Sequence, residues 1–294
     1  MSFLFVINSS SGNSEINYKQ EIEEYLQTKS VEFQIYELPN SFDKEDLKQE
    51  IKNSNKETIV AVGGDGTIKL IAELIHSTEK ILGIIPAGSA NGMAKELNIP
   101  INDIPSSIDL LLKNEPIKIH LVKVNQEICI HLADLGFNAY LVKKFDTLPQ
   151  RGMWGYSKSA VHALINHEKL NVEIEVDGKF IKSQAAMLVI ANATMYGTGV
   201  KINPDGKLDD DYFELVVIKK YSYLEVLKIW LTRLPFNPKK IEVFQTKSVK
   251  ITSLKKAHLQ VDGEYLGKTN EVKAVIIPDT LNIITGKQIY DNGL

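Results

Sequence analysis

The chain has 294 residues, of which 44% are hydrophobic and 24% charged, with a net charge of -3. This profile excludes collagen-like, disordered and disulfide-built classes, and the length allows one large core or two modest domains. Cys129 is the only cysteine, so no intrachain disulfide can form, and a buried free thiol in a reducing, cytoplasmic setting is expected.

The first eight residues are apolar but lack a basic start and a small-residue cleavage site, so no signal peptide is expected in them. Residues 2–7 have the continuous apolar texture of a buried parallel strand. Helical spacing follows at 16–29, where Ile22, Tyr25 and Leu26 share a side. A strand at 33–38, a helix at 43–52 and a strand at 58–62 continue the alternation. A helix at 67–76, a strand at 81–85 closed by Pro86, and helical stretches at 89–97 and 105–113 complete it. Repeated strand–helix alternation predicts a parallel sheet covered on both faces.

After residue 117 the pattern changes. Strands are predicted at 117–124, 128–132, 171–176, 180–191, 213–218, 241–252, 258–261 and 271–277, with hairpin turns at Asn125-Gln126 and Asp177-Gly178. Helices are predicted only at 153–166 and 223–234. The second could lie on a membrane or pack on the β half. A domain boundary is therefore set near 118. Residues 1–120 hold 11 Lys+Arg and 18 Asp+Glu, net -7; subtraction from 34 and 37 leaves 23 and 19, net +4, for 121–294. The basic second half would suit an anionic headgroup layer, but an imbalance this small reads first as an ordinary lysine-bearing surface. No apolar run is long enough to span a membrane, so any membrane contact is expected to be peripheral; no nucleic-acid partner is expected.

Three motifs carry chemistry. The first is Gly63-Gly64-Asp65-Gly66-Thr67, between a strand and a helix. Glycines allow a tight turn and close approach of phosphate oxygens, and the helix start offers free amides. Asp65 can hold Mg2+ directly or through water, and Thr67 can cap the helix or touch phosphate. No Walker A sequence and no dinucleotide-type Gly-x-Gly-x-x-Gly occurs. The second motif, Ala87-Gly88-Ser89-Ala90-Asn91-Gly92, again joins a strand end to a helix start, and Ser89 and Asn91 could bind phosphate, ribose or base; Ser89 could equally be a helix cap. Two such loops at neighbouring strand ends would form one crevice. The third, Val261-Asp262-Gly263-Glu264, reads by itself as a hairpin turn.

In this order and spacing the three motifs resemble the diacylglycerol kinase catalytic family, which includes bacterial lipid kinases and the sphingosine and ceramide kinases. Asn8-Ser-Ser-Ser-Gly12 looks like the family's opening, without its proline, and Arg151-Gly152 and 197–210 look like family segments. The resemblance implies an α/β plus β fold. A Rossmann-like parallel-sheet domain (1–118, with 286–294 returning to it) would be followed by an antiparallel β-sandwich (119–285), with the active cleft between them. It implies ATP and Mg2+ as donor and metal, and a lipid alcohol at a membrane surface as acceptor. Asn8, Gly12, Gly63, Gly64, Gly66, Thr67, Gly88, Ser89 and Asn91 would contact nucleotide, and Asp65 the Mg2+ site. Asp262 would be the base and Glu264 its acidic neighbour. Asp210, with the carbonyls of Lys207 and Phe213, would hold a structural Mg2+; the same acidic loop reads equally as a solvated turn. Two family acids are replaced, by Gly92 and His120. A soluble-substrate kinase of the NAD kinase type and a non-catalytic nucleotide or lipid binder remain as alternatives.

Overall fold

The computed structural model describes residues 2–9, 16–113, 115–136, 139–140, 169–196, 200–203, 206–219 and 240–286. Gly12, the segment around Arg151-Gly152 and the helices expected at 153–166 and 223–234 lie outside them. The chain divides into two units, Met1–His120 with Asp279–Leu294, and Leu121–Pro278. No helix among the described residues is long and apolar enough to cross a membrane.

The first unit runs β1 (Ser2–Ile7), α1 (Tyr18–Leu26), β2 (Glu32–Glu37), α2 (Lys44–Asn53), β3 (Thr58–Gly63), α3 (Asp65–Ile75), β4 (Ile81–Pro86), α4 (Gly92–Glu96) and α5 (Ile104–Lys113). The strands are parallel in the order β2-β1-β3-β4. All of β3 and nearly all of β1 and β4 are buried, because a parallel sheet is covered on both faces. On one face Phe3, Phe5, Val60, Val62 and Ile85 pack with Ile22 and Leu26 of α1 and with Ile104, Ile108 and Leu111 of α5. Helix starts are marked chemically. Asn17 caps α1 by accepting the Gln20 amide at 3.2 Å, and Asp43 caps α2 by accepting that of Glu45 at 2.7 Å.

The returning segment begins earlier than the sequence suggests, at Asp279 rather than 286. Asn282 and Ile283 extend the sheet by pairing parallel to Ile81 and Leu82 of β4, and the Gly286 amide donates to the Leu97 carbonyl at 2.9 Å. A Cβ on Gly286 would stand 2.0 Å from the Asn98 carbonyl oxygen, a backbone atom that no rotamer change moves. Gly286→Ala is therefore expected to cost about 1–3 kcal/mol, the usual range for overpacking. Urea unfolding midpoints check it, and an unchanged midpoint would show that the return does not seat there.

The second unit takes β5 (Ile117–Val124) from Leu121 onward, then β6 (Glu127–Cys129), β7 (Leu132–Gly136), β8 (Leu170–Val176), β9 (Lys179–Ala185) and β10 (Met187–Ala191). The two-residue strands β11 (Met195–Tyr196) and β12 (Val200–Lys201) follow, then β13 (Phe213–Ile218), β14 (Ile241–Thr246), β15 (Ser248–Val261) and β16 (Glu264–Ile283). Its pairings are antiparallel, in the order β14-β13-β10-β7-β15-β16, with β8 on β15 and β9 on β8. Residues from β5, β7, β8, β10, β13, β15 and β16 fill one apolar core, the β-sandwich expected. Asp177-Gly178 turns β8 into β9 with φ of 50° and 71°.

Several strands differ from the sequence reading. The run at 180–191 divides at Ala186 into β9 and β10, and that at 241–252 divides at Lys247 into β14 and β15. The strands at 258–261 and 271–277 are instead parts of the long β15 and β16, whose pairing is interrupted by irregularities at 252/257 and 259/260. Strand β7 went unpredicted beyond its first residue, since Asp134 and Gly136 break the β-prone texture.

Candidate active site

The first glycine loop lies where β3 gives way to α3. Gly64 is the residue before α3, and no side chain caps the helix there. The Thr67 and Ile68 amides turn back to the Gly64 carbonyl at 2.9 and 3.1 Å. The Asp65 and Gly66 amides have no partner among the described residues, and Gly66 is exposed with nothing within 4 Å of where a Cβ would stand. Among the described residues the site is thus an open helix start with two free donors and the positive end of an 11-residue helix. Thr67 is buried, and its hydroxyl accepts from the Asn8 side-chain amide at 3.0 Å, bringing the end of β1 to the same place.

The second loop meets the first directly. The Ala87 amide donates to the Gly63 carbonyl at 2.8 Å. A Cβ on Gly88 would lie 2.5 Å from the Gly64 Cα, a closeness only two glycines permit. Asp65 ties the pair together: one carboxylate oxygen accepts the Gly92 amide at 3.0 Å and the other the Met93 amide at 3.0 Å, both in the first turn of α4. Asn91 is left-handed (φ 49°) and 3% exposed. Its side chain accepts from the Gly88 amide at 2.9 Å and donates to the Gly88 carbonyl at 2.8 Å, so it braces the loop from inside. Ser89 is exposed, and the residue preceding α4 is Asn91 rather than Ser89.

In the second unit, Asp262 and Gly263 form the two-residue turn between β15 and β16, with φ of 50° and 86°, as Asp-Gly favours. The Asp262 carboxylate is held by a loop between β6 and β7. Its Oδ2 accepts the Ile130 amide at 2.9 Å; its Oδ1 accepts the His131 and Leu132 amides at 3.0 and 2.9 Å, with the Cys129 thiol at 3.5 Å. Burial pushes the Asp262 carboxyl above its ordinary value, against the opposing pull of the Ile130 amide, the His131 charge and the Leu132 and His131 amides. A carboxylate has about four lone-pair sites, so Oδ2 retains one. Glu264 is exposed, opposite Val261 in the hairpin. Sequence reasoning missed the loop around Asp262, and it missed Asp134 and Gln260 behind the turn. Their only signal is a carboxyl and an amide set among apolar strand residues.

In the loop before β13, Asp210 accepts the Tyr212 amide at 3.1 Å and faces the Gln245 side-chain amide at 3.4 Å; Lys207 is exposed and Phe213 buried. His120 is buried in β5, and Gly92 contributes its amide to Asp65. No group of three His, Cys, Asp or Glu side chains is placed to hold a metal among the described residues.

Two family models cover most of the chain: the diacylglycerol kinase catalytic domain over residues 2–124, and the YegS C-terminal NAD kinase beta sandwich-like domain over 133–285. A diacylglycerol kinase of Bacillus subtilis (strain 168) is 29% identical over 218 residues, 71% of this chain and 71% of its own. One from Staphylococcus aureus (strain bovine RF122 / ET3-1) is 26% identical over 243 residues, 74% of this chain and 70% of its own. Among solved structures, a putative diacylglycerol kinase from Bacillus anthracis superposes with a TM-score of 0.77 at 19% identity, covering 98% of this chain and 96% of its own. An NAD kinase from Archaeoglobus fulgidus in complex with ATP gives 0.57 at 15%, covering 99% and 96%. The last two likenesses speak to fold.

Proposed function

The chain belongs to the diacylglycerol kinase catalytic-domain family, a family of ATP-using phosphotransferases, and from that premise we propose that it transfers the γ-phosphate of ATP to the hydroxyl of a lipid alcohol such as diacylglycerol or a sphingoid base. The observation that carries the reading is the contact between Gly64 and Gly88 beside the free Asp65 and Gly66 amides. Phosphoryl transfer asks mainly for positioning and charge stabilisation. Main-chain donors at an open helix start supply both for phosphate oxygens. Thr67, Asn8 and Ser89 border that place, and Asn91 and Asp65 keep the two loops from drifting apart.

Asp65 suits Mg2+. Each of its oxygens accepts one amide and keeps capacity for the ion or its water. A single carboxylate without a protein cage matches an ion that completes its shell with water and substrate phosphates. When bound, Mg2+ neutralises phosphate charge. Asp262 would accept the acceptor hydroxyl's proton on the spare position of Oδ2, its burial making it a stronger base than an ordinary carboxylate. Glu264 would add negative charge beside it. A lipid acceptor implies peripheral contact with a membrane, on its cytoplasmic face.

The test is incubation with γ-labelled ATP, Mg2+ and a panel of diacylglycerol, sphingoid bases and NAD. Label in a lipid phosphate is the expected result. Label in NAD alone would give the soluble-substrate reading, and nucleotide binding without transfer to anything would give a binding protein. A structural Mg2+ at Asp210, with the Lys207 and Phe213 carbonyls, is checked separately by melting. Mg2+ should raise the melting temperature, and Asp210→Ala should remove that rise; no rise in the parent chain would exclude the site.

A further inference from the structure

We propose that Asp134 and Gln260 form a positioning relay that fixes the turn carrying Asp262 and Glu264; the functional half of this inference rests on the kinase reading above. Asp134 is 0% and Gln260 1% exposed. They face each other across paired strands, Gln260 of β15 opposite Asp134 of β7. The Gln260 side-chain amide donates to Asp134, and its carbonyl oxygen accepts the Gly263 amide at 2.6 Å. Because a main-chain N–H can only donate, the oxygen end of Gln260 must face Gly263, which turns its NH2 end onto Asp134. The second Asp134 oxygen accepts the Ala139 amide at 2.8 Å. One buried carboxyl thus orients one buried amide, and that amide grips the middle of the turn.

A two-residue Asp-Gly hairpin needs no such support to form, since its residues already favour the required backbone. The other Asp-Gly hairpin in this unit shows as much: Asp177-Gly178 makes the same turn, and neither of its amides has a side-chain acceptor among the described residues. Burying a carboxyl group at Asp134 is costly and must be offset by well-made hydrogen bonds. The extra restraint falls on the one turn whose side chains are assigned to the chemistry. There it opposes the loop at 130–132, which holds the same turn from the Asp262 side. A turn clamped on both sides keeps the Asp262 carboxylate in one place, and displacement of a reacting group by about 1 Å costs about a hundredfold in rate.

The experiment uses the full chain with Asp134→Asn. Its amide can accept from Gln260 or from Ala139 with its oxygen, but its NH2 must then oppose the other donor. Two readouts are taken: hydrogen exchange of the Gly263 amide by NMR, and steady-state transfer to the acceptor that the parent labels best. The relay predicts Gly263 exchange about tenfold faster or more. It also predicts kcat lowered by about ten- to a hundredfold with the KM for ATP within about twofold, as expected when a reacting group is displaced and the nucleotide-binding residues are unchanged. Unchanged Gly263 exchange overturns the relay. Faster exchange with unchanged kcat overturns its functional role. If the parent labels no acceptor, the kinase reading fails, and the exchange result alone still decides whether the turn is coupled to Asp134. Should Asp134→Asn not fold, Gln260→Met removes the middle of the relay. It should show the same rise in Gly263 exchange, and failure of both variants to fold would make the pair a folding element and refute a positioning role.

Discussion

Asp262→Asn is expected to lower the transfer rate by about 10²–10⁴-fold, the usual contribution of a general base. It should also lower stability, because the amide's NH2 must face one of the three amides that now donate to the carboxylate. Leaving such a donor unsatisfied costs about 1–3 kcal/mol. The two effects separate when kcat is measured well below the variant's melting temperature. A loss that only tracks the folded fraction would assign Asp262 to the loop alone. The pH profile gives the sign independently. Burial raises the Asp262 carboxyl, so the parent's rate should fall on acidification with a midpoint above the ordinary 3.8. Stability runs the other way. A carboxyl raised in the folded state stabilises the fold below its unfolded pKa, and that contribution is lost as pH rises through the folded value. An ionised Asp262 is therefore held at some expense to the fold, the pattern of a group kept for its chemistry.

Gly88→Ala is expected to abolish productive nucleotide binding, with about a hundredfold or greater loss in kcat/KM and a cost of about 1–3 kcal/mol in stability. The added methyl would stand 2.5 Å from the Gly64 Cα and 2.9 Å from the Asn91 side-chain oxygen. Only separation of the loops relieves the first contact, and that strains the Ala87–Gly63 hydrogen bond and the Asp65 bridge to α4. Gly66→Ala is the informative partner. Nothing lies within 4 Å of its would-be Cβ, and alanine is the better residue in a helix by about 1 kcal/mol. That variant should melt no lower than the parent yet bind ATP more weakly, since the methyl stands at the free amides. Calorimetric titration with ATP and thermal melting of both variants check the pair. Normal ATP affinity in Gly88→Ala would remove the loops from the nucleotide site.

The parts legible in the sequence are those decided locally. Strands β1, β3 and β4 announce themselves as short apolar runs, and the Asp177-Gly178 and Asp262-Gly263 turns by residues that tolerate positive φ. The meeting of the two glycine loops follows from parallel neighbours, β3 beside β4, ending in line. What local pattern cannot show is how a polar side chain is satisfied. Asp65 and Asp262 read as free acids in the sequence. Each is in fact held by main-chain amides, Asp65 from 27 and 28 residues away and Asp262 from 130–132 away. Asn91 reads as an arm for a ligand but is turned onto Gly88. Asp134 hides most of its strand, because a buried carboxyl is tolerated only where a distant partner, here Gln260, comes to meet it.

The most direct test of the account is amide NMR of the labelled chain titrated with Mg2+ and ATP. Phosphate oxygens settling at the open start of α3 predict that the Asp65 and Gly66 amides shift farthest, with Gly88 and Ser89 close behind. Large shifts elsewhere, with these four amides unmoved at saturating nucleotide, would contradict it.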